Sequence, residues 1–147
     1  MRLYVGSDHA GFALKEQVRE HLEQEGHEVV DVGTHSEDSV DYPDFARQVG
    51  EAVAAGDAEY GILVCGSGLG MAIAANKVDG VRAVQVMDTE MAKMSRMHND
   101  ANVVTLAGRY TEPATADAIV DTFLATAFEG GRHQNRVDKI TAIEHEG

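Results

Sequence analysis

The chain has 147 residues, of which 44% are hydrophobic and 25% charged, a composition typical of a globular domain and not of a disordered chain. Its formal net charge of −13 argues against nucleic acid or an anionic membrane surface as a partner, because both attract basic proteins. No apolar run approaches the roughly 18 residues that cross a bilayer, and the first residues, MRLYVGSDHAGF, lack the apolar core of a signal peptide. The single cysteine cannot form an internal disulfide, so we expect a cytoplasmic protein.

Short β-rich runs alternate with amphipathic stretches along the whole chain. The predicted strands are residues 2–5, 28–32, 60–64, 81–86 and 102–107. The apolar spacing of residues 14, 18 and 22 predicts a first helix, which stops at Gly26. Five further helices are predicted: from Pro43 to Gly56, over 71–76, after an N-cap at Asp88 or Thr89, over 113–128 and over 132–143. We therefore expect an α/β protein, a three-layer α/β/α Rossmann-like domain with a five-stranded parallel sheet, over residues 1–147.

The exit of the third strand reads CGSGLG. Ligands of such sheets bind beyond the carboxyl ends of the strands, and glycines let the backbone approach a ligand closely. The stretch is neither a Walker A loop nor the dinucleotide fingerprint, because its spacing is G-x-G-x-G without a following Gly-Lys-Ser/Thr. A helix N-terminus favours thiolate over thiol, so Cys65 is a candidate nucleophile, redox group or general base, and an inert strand-end residue is the alternative. Ser67 either contacts a substrate oxygen or serves only the loop.

Polar and basic residues mark the other exits. Asp8 and His9 follow the first strand, where Asp8 either binds sugar hydroxyls or caps the next helix, and His9 can bond an oxygen or a phosphate. Arg132 and Arg136 share one face of the last helix and suit a phosphate, with Arg109 at the fifth exit as a further candidate. Surface ion pairs are the commoner use of paired arginines.

His98 and Asn99 end the fourth helix, before the fifth strand. They are therefore expected at the opposite end of the sheet from the exits. His98 is either a surface histidine or serves the site of a neighbouring subunit. The sequence has no H-x-x-x-H pattern and no cysteine pair, so neither a metal nor another cofactor is predicted.

Taken together, these segments resemble the type B ribose-5-phosphate isomerases, of the family shared with galactose-6-phosphate isomerase. The resemblance extends nearly end to end through GSDHAGFALK, DVGTHS, DYPDFA, GILVCGSGLGMAIAANK, GVRAV, SRMHNDANV, AGR and EGGRHQNRVDKI. It implies a parallel α/β fold, no metal, and a homodimer or homotetramer whose active sites are shared between subunits. Residues from about 130 to 147 are then expected to contact the partner.

The resemblance also implies residue roles. Cys65 is the base that moves a proton between C1 and C2 of the open-chain sugar, and His98 of the partner subunit opens the furanose ring. Ser67 assists the backbone amides that bind the enediolate oxygen. The implied substrate-binding residues are Asp8, His9, Gly66, Gly68, Leu69, Gly70, Asn99, Arg109, Arg132 and Arg136, with the arginines on the phosphate. One branch of the family has a glutamate base at the position of Met71, which cannot take a proton, so this chain resembles the cysteine branch.

The predicted function is therefore an aldose–ketose isomerase of the pentose phosphate pathway that interconverts ribose 5-phosphate and ribulose 5-phosphate through an enediolate. The nearest alternative is the same chemistry on galactose 6-phosphate, allose 6-phosphate or an unphosphorylated rare sugar, which pocket depth and residues 34–42 would decide. A thiol hydrolase or acyl transferase would need a third residue to orient His98. A phosphate-binding sensor domain would not require Cys65.

Overall fold

Strands and helices alternate through residues 1–146, the part of the chain that the computed structural model describes. In chain order the elements are β1 Arg2–Ser7, α1 Phe12–Gln24, β2 Glu28–Asp31, α2 Tyr42–Ala54, β3 Tyr60–Cys65, α3 Leu69–Ala75, β4 Ala83–Gln85, α4 Thr89–Asn99, β5 Val103–Ala107, α5 Pro113–Ala125 and α6 Arg132–Glu144. Within this part of the chain, none of the helices is both long and apolar enough to cross a bilayer.

The strands form one parallel sheet in the order β2-β1-β3-β5-β4. The predicted α/β class with a five-stranded parallel sheet is confirmed. From β1 the chain continues to β2, which lies on one side of β1 in the sheet. From β3 it continues to β4 and β5, which lie in the opposite direction. This reversal opens a crevice beyond the carboxyl ends of β1 and β3, which is where such sheets bind ligands.

Alternating side chains of each central strand supply the two faces of the core. Along β3, Ile62 and Val64 pack in one apolar cluster with residues of α1 and α5, whereas Leu63 and Cys65 pack in the other with residues of α2 and α3. Met71 of α3 is fully buried in this second cluster. It is therefore a core residue, consistent with its inability to act as the base.

Two predicted elements are three residues longer than the observed ones, whereas the ends of the other elements differ by at most two residues. The strand predicted over 81–86 is confined to Ala83–Gln85, since β4 is an edge strand that pairs only with β5, although Val81 and Val86 beyond its ends remain buried. The helix predicted to residue 128 ends at Ala125, because Thr126 is extended and its carbonyl accepts a hydrogen bond from Arg96 Nε at 3.1 Å. Beside β4 the apolar sequence continues past the strand because Val81 and Val86 are buried outside it.

Candidate active site

A cleft of about 410 Å³ lies in the crevice at the carboxyl ends of β1 and β3. Its walls come from four strand-to-helix connections, as expected for a sheet whose strand exits share one edge. The lining residues are Asp8, His9, Ala10, Tyr42, Cys65, Gly66, Ser67, Gly70, Arg109 and Tyr110.

Cys65 is the last residue of β3, and it lines the cleft although only 5% of it is exposed. The Gly68 amide donates a hydrogen bond to its Sγ at 3.2 Å. The loop thus carries the thiol and holds its sulfur through one of its own amides.

The turn after Cys65 depends on Gly68. This residue has a φ of +78°, and a Cβ there would lie 3.0 Å from the backbone of Leu106. Only glycine adopts this backbone at no steric cost. The Gly68 carbonyl also accepts a hydrogen bond from Thr105 Oγ1 at 2.7 Å, so the neighbouring strand β5 holds the turn in place.

The amides of the loop divide into two sets. Those of Gly68 and Leu69 already donate within the loop, to Cys65 Sγ and to Ser67 Oγ at 3.3 Å. Gly66, Ser67 and Gly70 line the cleft, so their amides are the better candidates for an anionic oxygen. The Ser67 hydroxyl accepts a bond within the loop and the residue lines the cleft, so its loop role is observed and its contact with a substrate oxygen stays a prediction. Substrate contacts of Gly68 and Leu69 remain predictions.

Asp8 and His9 enter the cleft from the end of β1. Asp8 Oδ1 accepts a hydrogen bond from the Gly11 amide at 3.0 Å, which satisfies a donor at the start of α1. The N-cap of α1 is Gly11 and not Asp8, so Asp8 holds the turn before the helix, and the residue also lines the cleft. His9 Nδ1 accepts a hydrogen bond from the Val40 amide at 3.2 Å. Each of the two side chains thus accepts a hydrogen bond from a backbone amide, and both residues line the cleft.

Arg109 and Tyr42 lie over two glycines of the loop. A Cβ at Gly66 would lie 3.0 Å from the Arg109 guanidinium, and a Cβ at Gly70 would lie 2.6 Å from the Tyr42 ring. The close approach of the Tyr42 ring therefore requires glycine at position 70, whereas the flexible Arg109 side chain could shift slightly for a Cβ at position 66. Tyr42, together with Ala10 and Tyr110, was missed as a site residue. The signal was its position at the end of the 34–42 connection, which follows a strand exit.

His98, Asn99, Arg132 and Arg136 are not among the residues that line this cleft. The His98 ring stacks on His133 of α6, with centroids 4.4 Å apart and planes 14° apart. Asn99 borders a different cavity, and both arginines lie on the exposed side of α6. Since α4 runs back to the amino end of β5, one subunit holds these residues away from Cys65. Their substrate roles remain predictions that require a second subunit.

Within residues 1–146, two clusters have the composition of metal ligands. His98, Glu129 and His133 form one, and in each cluster the potential ligand atoms lie within 4.8 Å of one another. Burial lowers the pKa of His133, and the nearby His98 and Arg132 add to this effect. The other cluster, His21, Glu25 and Asp121, joins α1 to α5 through hydrogen bonds. Neither cluster lies in the cleft.

The fold and the cleft define an α/β protein with a buried thiol and a glycine loop at the edge of a parallel sheet. Residues 3–140 match the model of the Ribose/Galactose Isomerase family. The chain belongs to this family, as its sequence suggested.

Individual relatives agree over nearly the whole chain. It is 48% identical to ribose-5-phosphate isomerase B of Escherichia coli, over 97% of this chain and 96% of that protein. The structure of ribose-5-phosphate isomerase B of Clostridium thermocellum superposes with a TM-score of 0.98 at 50% identity, covering 99% of both chains. That of the Mycoplasma genitalium enzyme with bound ribulose-5-phosphate superposes with a TM-score of 0.95 at 43% identity, covering 99% of this chain and 97% of the other.

Proposed function

We propose that this protein interconverts ribose 5-phosphate and ribulose 5-phosphate. The observation that carries the proposal is the position of Cys65, a thiol that faces a small polar cleft between a carboxylate, Asp8, and a guanidinium, Arg109. A sugar phosphate offers hydroxyls to the carboxylate and an anion to the guanidinium. Similarity to ribose-5-phosphate isomerases B, one of them solved with ribulose-5-phosphate, supports this substrate.

Cys65 acts as the base in the proposed mechanism. Its thiolate takes the proton from C2 of the open-chain aldose, and the C–H electron pair forms the C1–C2 double bond of an enediolate. The same sulfur then returns the proton to C1, while the hydroxyl proton moves from O2 to O1, which gives the ketose. Positioned proton transfer contributes about 10²–10⁴-fold to a rate. The Gly68 amide supports this role because its hydrogen bond to Sγ holds the sulfur in position.

The glycine loop stabilises the intermediate in this mechanism. Negative charge develops on the enediolate oxygen, and the amides of Gly66, Ser67 and Gly70 border the space it would occupy. Preorganised amide donors are effective because they need no reorganisation during the reaction. The Ser67 hydroxyl adds a further polar contact.

We propose further that the active site is completed by a second copy of the chain, as a homodimer or as a dimer within a homotetramer. His98 of the partner subunit opens the furanose ring, and the partner's Arg132 and the partner's Arg136 bind the phosphate. Large exposed apolar side chains on α3, after β4 and on α4 support such an interface; they are Leu69, Ile73, Met87 and Met91. Burial of these side chains would stabilise a dimer. The tail from about residue 130 would contact the partner.

The cytoplasm is the proposed location. The single buried cysteine, Cys65, must stay reduced to act as a base, which suits a reducing compartment. The substrate is a phosphorylated metabolite, as expected for the pentose phosphate pathway.

A panel of sugars tests the proposed function. The purified protein is assayed with ribose 5-phosphate, allose 6-phosphate, galactose 6-phosphate and unphosphorylated ribose and allose, before and after alkylation of Cys65. We expect the highest kcat/KM with ribose 5-phosphate and loss of activity on alkylation. A higher kcat/KM for a hexose phosphate or a free sugar would instead favour the alternative substrate. Binding without turnover of any sugar would favour a sensor domain.

A further inference from the structure

The connection between β2 and α2, residues 34–42, forms one wall of the cleft. It carries Tyr42 into the cleft, and it brings the Val40 amide to 3.2 Å from His9 Nδ1. His9 itself comes from the β1–α1 connection and lines the cleft. The backbone amide of Val40, after β2, therefore donates a hydrogen bond to the imidazole of His9, after β1.

This hydrogen bond determines which ring nitrogen of His9 carries the proton. A backbone N–H can only donate, so Nδ1 must accept. A neutral imidazole has one N–H and one acceptor nitrogen, and the proton must therefore be on Nε2. His9 in this state offers a hydrogen-bond donor at the nitrogen that Val40 leaves available.

The 34–42 connection is anchored at both ends, so the Val40 amide has a defined position. At its start, the Thr34 carbonyl accepts a hydrogen bond from Lys15 Nζ at 2.8 Å, and the Thr34 amide donates to the Ser7 carbonyl at 2.8 Å. At its end, the Tyr42 ring packs on Gly70. The donor to His9 is thus set in place before a ligand binds.

We propose that Val40 is a positioning residue that holds His9 in its Nε2–H tautomer, so that Nε2 donates to an oxygen of the bound sugar phosphate. The proposal rests on the proposed function and adds to it the protonation state of one binding residue. The other tautomer would present a lone pair, which cannot donate to a phosphate or carbonyl oxygen of the substrate. Val40 acts through its main chain, so the identity of its side chain matters little to the tautomer.

Nitrogen-15 spectra of histidine-labelled protein test the tautomer without any need for activity. The spectra are recorded in the ligand-free protein at alkaline pH, where an imidazole is neutral, and the His9 signals are assigned by their loss in His9→Asn. We expect a protonated Nε2 and an unprotonated Nδ1. A protonated Nδ1 would overturn the proposal whatever the substrate of the enzyme is.

A matched pair of variants tests the role of the amide. Val40→Pro removes the N–H, whereas Val40→Ala shortens the side chain and keeps it. In Val40→Pro we expect mixed tautomers and a KM for ribose 5-phosphate raised about tenfold or more, the size of one lost hydrogen bond to a charged group, with kcat within about threefold. Val40→Ala is expected to keep the tautomer.

Several results would contradict the proposal. A single Nε2–H tautomer with unchanged KM in Val40→Pro would show that the amide is dispensable. Mixed tautomers in Val40→Ala would assign the effect to the side chain. If Val40→Pro does not fold, the tautomer of the unmodified protein still decides, because the Nδ1–H form is incompatible with an accepting Nδ1.

Discussion

At the scale of single residues, the site combines a thiol with groups that bind charge. Cys65 accepts a hydrogen bond from the Gly68 amide, and Arg109 is the cation that lines the same cleft within residues 1–146. One guanidinium is a modest anchor for a phosphate, which usually takes several charged donors. This is the reason to expect Arg132 and Arg136 from a second subunit.

Substitution of these arginines tests the phosphate clamp. Arg132→Ala or Arg136→Ala is expected to raise KM for ribose 5-phosphate by about tenfold or more, since each removes charge-assisted hydrogen bonds of about 1.5–3 kcal/mol. KM for an unphosphorylated sugar should change little. Steady-state kinetics with both substrates provide the measurement, and Lys139→Ala on the exposed side of the same helix serves as the control. An unchanged KM for the phosphorylated sugar would remove the two arginines from the phosphate site.

At the scale of the elements, Lys15 joins α1 to the connection that follows β2. Only 1% of its side chain is exposed, and its Nζ donates to Asp31 Oδ2 at 2.7 Å and to the Thr34 carbonyl at 2.8 Å. Buried ammonium groups need such partners because the desolvation of an isolated charge is costly. Lys15 thereby fixes the path by which residues 34–42 reach the cleft.

Lys15→Met is expected to lower the free energy of unfolding by about 3–5 kcal/mol, because it leaves Asp31 without its buried partner. Lys93→Met, on the exposed face of α4, is the control and should stay within about 0.5 kcal/mol. Urea titrations of both variants measure the difference. Equal stabilities would mean that Lys15 contributes no more than a surface lysine.

His21 links α1 to α5 through a hydrogen bond from its Nε2 to Asp121 Oδ1 at 2.9 Å. Burial alone lowers the pKa of His21, but Asp121, with Asp117 and Glu25 nearby, outweighs it and raises the pKa above the ordinary 6.5. The folded state therefore binds this proton more tightly than the unfolded chain does. The resulting stabilisation is complete below pH 6.5 and is lost as the pH rises through the raised value.

His21→Gln is expected to remove this pH-dependent part of the stability, about 1 kcal/mol for a partly exposed pair. Unfolding free energies of both proteins, measured at about pH 6 and about pH 9, provide the test. The difference between the two proteins should be larger at the lower pH. A difference that grows at the higher pH would contradict the assigned direction.

The sequence predicted the order of the elements well, because apolar periods of 2 and 3.6 residues are local signals. It also predicted that Asp8, His9, Cys65 and Arg109 would meet, since parallel strands bring their exits to one edge. The position of Tyr42 after a strand exit was a signal for the site, but the contact of its ring with Gly70 was not predictable. Its ring reaches the cleft through the tertiary path of residues 34–42, which Lys15 and Ser7 anchor from distant parts of the sequence.

At the scale of the whole molecule, the account requires two subunits for one active site. Cys65 lies at the carboxyl edge of the sheet, whereas His98 lies in the last turn of α4, which leads to the amino end of β5. Resemblance to the family predicted the shared site, but a single chain contains only half of the proposed residues in its cleft. How His98, Arg132 and Arg136 would reach the cleft depends on the packing of two subunits, and the sequence of one chain does not specify that packing.

Mixed dimers test the shared site. Cys65→Ala and His98→Ala subunits are each expected to be nearly inactive, whereas their heterodimer should contain one intact site formed by Cys65 of one subunit and His98 of the partner subunit. Isomerase assays on purified, differently tagged heterodimers measure the recovery, expected to approach half the wild-type rate per dimer. Heterodimers as inactive as the parents would place both residues in the same subunit's site or remove His98 from catalysis.

The central claim is that Cys65 moves the proton between C1 and C2 of ribose 5-phosphate, and the rate of the Cys65→Ala variant tests it most directly. Conversion of ribose 5-phosphate to ribulose 5-phosphate is followed for the variant and the unmodified protein, with substrate binding measured on both by calorimetry. The account predicts a kcat at least about 100-fold lower in the variant, the usual loss for a general base, with binding of the sugar phosphate retained. A variant that binds the substrate and turns it over at the wild-type rate would contradict the account.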